Sequence, residues 1–214
     1  DKFLEPINTD VAASVQKLFE ETIFLTAKVS KKLFENVGAD TNNLCLAGGC
    51  MLNCPTNTMI YDDKIYSNMF IPPFTDDSGC SIGAAYWTYH NLLGFGLKPQ
   101  NPTSMAVSPY IGNPYSDDDC LQVINEANGI RVTVPTDLGD SVAEDLVSSK
   151  IIAFFDGASE VGPRALGHRS FICDPRKAEN WPRVNEVKSR AKWRPFAPAV
   201  LKEHLRSYFE GGPD

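Results

Sequence analysis

Val11, Val15, Leu18, Phe19, Thr22, Leu25, Val29 and Leu33 recur at steps of three and four residues. That period predicts a long amphipathic helix over 10–37, with its stripe laid on a sheet. Thr9 or Asp10 is placed to cap its start, and Gly38 to end it. The apolar run 44–47 predicts a buried strand; Gly48 and Gly49 then turn the chain into a helix over 51–60. A further strand is expected near 64–71, stopped by Pro72 and Pro73. The small residues 79–85 open another helix, with Asp77 or Ser78 as its cap. Glycines and prolines from 93 to 108 read as a linker. Beyond it the pattern predicts a helix over 116–127, a strand over 130–134 and a helix over 138–149 capped near Asp137 or Asp140. A strand over 151–155 and a final amphipathic helix over 199–209 follow. Strands alternating with helices indicate an α/β protein.

Directly after the 151–155 strand comes SEVGPRALGHRSFICDPR, residues 159–176, which sets Arg164, Arg169 and Arg176 among glycines and prolines. Such a segment reads as a turn-rich loop. A second basic cluster, Lys188, Arg190, Lys192 and Arg194, lies in VKSRAKWRPFAP. A guanidinium is always charged and offers a planar fork of donors to carboxylate or phosphate oxygens. The two clusters are expected to wall one anion pocket. The plain alternative, a network of surface ion pairs, is the better reading on composition alone.

The charge balance sharpens this. The net charge is −7. Residues 1–150 hold 9 basic and 19 acidic side chains, whereas 151–214 hold 11 and 8. A local basic excess on an acidic chain suits a small anion and disfavours a long nucleic acid. No apolar run approaches the ~20 residues of a membrane span, and no export signal opens the chain, so a cytoplasmic protein is expected. Cys45, Cys50, Cys54, Cys80, Cys120 and Cys173 form no CxxC pair, which predicts reduced, buried thiols rather than a zinc site. The abrupt ends suggest an excised fragment. The glycine turn at Gly48-Gly49 can let backbone N–H groups approach a phosphate, or serve only to pack a helix on a strand. By itself it would also fit a sugar-kinase-like phosphotransferase.

The two basic motifs, together with LCLAGGCMLN and DDSGCSIGAA, resemble the carbamoyltransferase family of antibiotic and nodulation-factor O-carbamoyltransferases. The resemblance runs in order from about residue 10 to 205. Its pattern has an aromatic residue where Val161 stands, Asn at His168, Glu at Ala191, Phe at Trp193 and Gly at Asp76; the arginines and Lys188 are kept.

The resemblance implies that 1–105 is the later half of an actin/sugar-kinase-like domain for carbamoyl transfer, similar to threonylcarbamoyl-transfer domains. It implies that 106–214 is the first part of a YrdC-like domain forming carbamoyl adenylate. The implied activity uses ATP to activate carbamoyl phosphate and passes the carbamoyl group to a hydroxyl of a small molecule. Arg164 and Arg169, then Lys188, Arg190 and Arg194, are the implied phosphate or carbamoyl contacts; Lys192 is the weaker candidate. Glu160 is expected to orient Arg164. Gly48, Gly49 and Asn53 would meet the nucleotide, and His168 and Ser170 would face the ligand. Asp77 is the implied ligand of a divalent metal, Fe or Mg in the complete protein. The family's HxxxH ligands are missing here: the histidines are His90, His168 and His204. Tight metal binding by this chain is therefore not expected. A homodimer stays open. The alternative is an RNA- or nucleotide-binding module, with Trp193 and Phe196 available for stacking.

Overall fold

The computed structural model describes residues 2–96 and 108–211, which fall into two units, 2–96 with 206–211 and 108–205. Most of the expected 93–108 linker lies outside the described residues. Helix α1 spans Pro6–Asn36, about 46 Å at 1.5 Å per residue. It begins earlier than expected because Pro6 opens it, its ring already set to helical φ. Thr9 and Asp10 therefore sit inside the first turns rather than at a cap. Gly38, at φ +71°, closes the other end, with its N–H on the Glu35 carbonyl and Ala39 N–H on that of Phe34, both at 3.0 Å.

Within its unit α1 packs on helix α2, Cys54–Asp62. The packed face carries Gln16, Ile23, Ala27 and Lys31. Ala27 is buried, Gln16 exchanges amide hydrogen bonds with Asn53, and Lys31 bonds the Ile65 carbonyl. Val11, Val15, Leu18, Leu25, Val29 and Leu33 are all exposed. At 100° per residue they occupy the opposite side of the helix. The expected packing of that stripe on a sheet is not what the unit builds.

Strand β1, Asn43–Cys45, pairs in parallel with β2, Asn68–Phe70, placing Leu44 opposite Met69. Their crossover passes through a short 3-10 turn, Gly49–Leu52, and then α2, the connection a parallel pair needs. The β2 segment is much shorter than 64–71. Helix α3, Gly79–Trp87, runs on into a π turn, Thr88–Leu92. Ser78 takes the N-cap position, as one of the two expected residues, but its side chain makes no cap bond; Asp76 Oδ1 accepts from the backbone and hydroxyl of Ser78 at 3.3 and 2.5 Å. The buried apolar residues are Ala27, Met51, Ile60 and Ile65.

In the second unit, α4 spans Asp117–Glu126 behind a reciprocal cap between Ser116 and Asp119. Helix α5 spans Leu138–Val147, capped by Asp137. No strand forms over 130–134. Ile130, Val132 and Val134 alternate as a strand would, but they remain exposed and join neither β3 nor β4. Strand β3, Ile152–Phe155, is antiparallel to β4, Arg169–Ile172. Helix α6, Asn180–Val187, was not expected. The predicted 199–209 helix shrinks to a 3-10 turn, Lys202–His204, and one helical turn, α7, Leu205–Tyr208. Leu201 and Tyr208 there are exposed, and a helix without a packed face is marginal.

The thiols also depart from expectation. Cys45, Cys50, Cys54, Cys80 and Cys120 are free and exposed; Cys173 is half-buried. Burial and the Asp174 charge push the Cys173 thiol up, against a smaller opposing effect of Arg183. No described helix is long and apolar enough to cross a membrane.

Candidate functional site

The arginine loop is the connection between β3 and β4. Part of what reads as loop in the sequence is strand: Arg169 pairs with Phe155 and Ser170 with Phe154. Asp156 N–H donates to the His168 carbonyl at 3.0 Å, so residues 157–167 bulge from a closed neck. Gly162 and Gly167, at φ +110° and +112°, supply turns that a side chain would strain.

Glu160 organises the bulge from inside. It is 4% exposed, and its Oε1 accepts from the backbone N–H groups of Leu166, His168 and Arg169 at 2.7, 2.8 and 3.2 Å. Burial raises its pKa, but the backbone donors outweigh burial and hold it below the usual carboxylate range. Its Oε2 is buried without a hydrogen bond and lies 3.7 Å from Arg169 Nε. The salt bridge of Glu160 is thus to Arg169, not to Arg164 as expected.

A short segment just after the linker straps the bulge. Val161 N–H donates to the Pro109 carbonyl at 2.7 Å, and Gly112 N–H to that of Ser159 at 3.0 Å. Any Cβ at Gly112 would stand 2.3 Å from Ser159 Oγ, so only glycine permits the approach. Tyr110 stacks on the His168 ring, centroids 3.8 Å apart and planes 17° from parallel, and its hydroxyl donates to the Leu166 carbonyl at 2.7 Å. His168 Nδ1 lies 2.9 Å from the Ala158 carbonyl. A carbonyl only accepts, so Nδ1 carries hydrogen, and whenever the ring is neutral the lone pair is on Nε2. Ser170 Oγ accepts from Gly167 N–H at 3.0 Å.

The second basic segment hangs from α6. Asn185 is fully buried; its Nδ2 donates to the Lys192 and Arg194 carbonyls at 2.9 and 3.0 Å. Trp181 Nε1 donates to the same Arg194 carbonyl at 2.7 Å. Arg190 donates from Nε to Asn185 Oδ1 and from Nη2 to the Pro195 carbonyl, with its guanidinium 4.4 Å over the Phe196 ring. Lys188 Nζ lies 5.2 Å over the Phe171 ring of β4. Arg176, by contrast, spends its fork on Asp174, with Nε on Oδ1 and Nη2 on Oδ2, both at 2.8 Å.

Arg190 reports how the two segments stand. Burial lowers its pKa, and the charges of Arg194 and then Arg164 lower it further. Arg164 belongs to the β3–β4 bulge and the other two to the segment after α6, so cations from both share one field. Among the described residues, Arg164, Lys188, Arg190, Lys192 and Arg194 have no carboxylate within ion-pair distance. Like charges left together without counter-ions repel, and a bound anion relieves the repulsion. Of the arginines of the two basic clusters, Arg169 and Arg176 make ion pairs among the described residues.

The remaining candidates lie in the first unit. Gly48, at φ +99°, donates its N–H to the Thr75 carbonyl at 2.7 Å, joining the glycine turn to the loop that carries Asp76 and Asp77. Open space faces both Gly48 and Gly49. Asn53 caps α2: its Oδ1 takes Thr56 N–H, Thr56 Oγ1 and Gln16 Nε2, which fills its acceptor capacity. Asp77 is one carboxylate, and no three His, Cys, Asp or Glu residues converge among the described residues. The implied metal has no ligand set there.

Tyr110, Asn185 and Trp181 escaped the sequence reading. Tyr110 follows a glycine- and proline-rich stretch with no periodicity, and a buried Asn reads as surface. The pairing of Asn with a nearby RxKxR run is the only local hint of a polar support.

A family model described as carbamoyltransferase N-terminus matches residues 2–86, and one described as carbamoyltransferase C-terminus matches 143–214. Nodulation protein NolO of Bradyrhizobium diazoefficiens is 33% identical over 202 residues, 94% of this chain and 35% of its own length. Nodulation protein U of Sinorhizobium fredii is 32% identical over 206 residues, 96% of this chain and 34% of its own. An uncharacterised Synechocystis protein is 34% identical over 206 residues, 94% of this chain and 32% of its own. The chain thus spans about a third of the length of these curated relatives.

Proposed function

The chain belongs to the carbamoyltransferase family, and on that premise we propose that its second unit carries an anion pocket for carbamoyl activation. The observation that carries this reading is that Arg190 feels the charges of both Arg194 and Arg164, while no carboxylate among the described residues lies within ion-pair distance of the three. Carbamoyl phosphate and ATP are its ligands. In the complete enzyme, water splits carbamoyl phosphate into carbamate and inorganic phosphate, and a carbamate oxygen then attacks the α-phosphate of ATP, giving carbamoyl adenylate as pyrophosphate leaves. A small-molecule hydroxyl then attacks the carbonyl and AMP departs.

Each step gathers negative charge on phosphate oxygens. Arginines already held in place stabilise that charge without reorganising. Arg164 and Arg194 face it as free cations. Arg190 is held rigid by Asn185, Pro195 and Phe196, and Lys188 adds a point charge beside β4. His168, its ring pinned by Tyr110 and Ala158, offers an acceptor to the carbamoyl NH2 that no arginine or lysine can offer. Transfer belongs to the first unit, with Gly48 and Gly49 open to the nucleotide. In this reading the units are parts of an actin-like transfer domain and a YrdC-like domain.

Thermal melts test it. Carbamoyl phosphate at millimolar concentration raises the melting temperature of the parent, and acetyl phosphate, which lacks the NH2, raises it less. Arg164→Glu removes the protection. Equal protection of the variant, or tRNA protecting where carbamoyl phosphate does not, refutes the assignment.

A further inference from the structure

The buried, unbonded Oε2 of Glu160 requires an explanation. An ionised oxygen out of water without a donor is costly, and the Glu160 side chain is 0% exposed. Its Oε1 is fully spent on three backbone N–H groups. The cation beside Oε2 is Arg169, whose Nε stands 3.7 Å away, too far for a hydrogen bond. The Arg169 side chain is half exposed, and its own backbone N–H is already held by the same carboxylate. A side-chain rotation of under about 1 Å at Nε would seat it on Oε2. With Nε turned inward, the Nη edge of the guanidinium turns outward, the edge that grips two oxygens of a phosphate.

We propose that Glu160 is a positioning residue acting through Arg169: its Oε1 shapes the loop, and its Oε2 is a vacant seat that Arg169 Nε takes when a phosphorylated ligand binds the Nη edge. This rests on the anion-pocket reading above. The carboxylate is therefore not a competitor of the ligand. Simple electrostatics argues the reverse, since removing a negative charge beside a cation should strengthen anion binding.

Glu160→Gln separates the two roles. Gln keeps a carbonyl oxygen for the three N–H groups, so the loop and the melting temperature hold. It places an NH2 where Oε2 was, which turns Arg169 away. Pyrophosphate affinity, by calorimetry, is expected to fall about tenfold, the scale seen when an outer partner of a binding group is lost. Arg169→Lys keeps the charge and lacks Nε, so it loses a similar factor, and the double variant is no weaker than either single one. In the parent, pyrophosphate slows hydrogen exchange at Arg169 Nε–H, read by NMR; in Glu160→Gln it does not. Glu160→Gln or Arg169→Lys binding pyrophosphate as tightly as the parent, or more tightly, overturns the proposal and leaves the pocket standing. A parent that does not bind pyrophosphate overturns both. If Glu160→Gln fails to fold, Arg169→Lys decides alone.

Discussion

Asn185 and Arg190 are joined side chain to side chain, Arg190 Nε donating to Asn185 Oδ1, while the amide nitrogen of that same asparagine holds the carbonyls of Lys192 and Arg194. One buried residue therefore sets both the path of the second basic segment and the aim of its central arginine. Asn185→Ala leaves the Lys192 carbonyl and one guanidinium N–H without this partner, and leaves the Arg194 carbonyl to Trp181 alone. At about 1–3 kcal/mol for each orphaned buried group, unfolding free energy is expected to fall by about 3 kcal/mol in a denaturant titration. Asn185→Asp is expected to be no better, because its oxygens face two carbonyls.

The strap predicts a steric effect. A methyl at Gly112 meets Ser159 Oγ at 2.3 Å and the Ser159 carbonyl at 2.7 Å. Gly112→Ala is expected to cost about 1–3 kcal/mol, the scale of overpacking, and to lower affinity for carbamoyl phosphate as the bulge shifts. Ser159→Gly in the same chain removes the Oγ contact and leaves the carbonyl one, so partial recovery of the melting temperature would tie the loss to this site.

Tyr110 has two separable roles. Tyr110→Phe removes the bond to Leu166 and keeps the stack, at an expected cost of about 1 kcal/mol. Tyr110→Leu removes both and frees the His168 ring. The His168 ring resonances, followed by NMR, move little in the first variant and broaden in the second.

Asp174 gives the acid response. Hydrogen bonds from the Arg176 side chain and backbone hold its pKa down to about 2, from an ordinary 3.8, against the opposing effect of burial. A depressed carboxylate contributes stability that is full above the unfolded pKa and is lost as pH falls through the folded one. Stability of the parent is expected to drop between about pH 4 and 2. In Asp174→Asn that part of the drop is missing, as measured by unfolding at a series of pH values.

The elements legible in the sequence were those with a local cause. The α1 period, the helix after residue 116, the Asp137 cap and the 152–155 strand depend on neighbouring residues and appear nearly in place. What depends on distant partners was hidden. The α1 stripe marks a face that favours burial, and nothing in its period says what covers it; in this chain it lies opposite the packed side. Alternation at 130–134 is a strand pattern that pairs with neither β3 nor β4. The basic residues of the site were visible as charge runs. Their supports, Asn185, Tyr110 and the strap at Gly112, were not, because each acts across five or more residues through side-chain or backbone bonds that leave no periodic trace. Glu160 was visible, but its pairing with Arg169 instead of Arg164 was not, because it joins residues nine apart in the folded loop.

The central claim is that arginines from the bulge and from the segment after α6 serve one bound anion. A double-mutant cycle on Arg164→Ala and Arg194→Ala, with carbamoyl phosphate affinity read by calorimetry, tests it most directly. Two cations on one ligand predict that each single variant weakens binding and that the two losses do not add, with a coupling of at least ~0.5 kcal/mol. Strictly additive losses, or an Arg194→Ala variant that binds as the parent does, would show that the two segments do not meet on a common ligand.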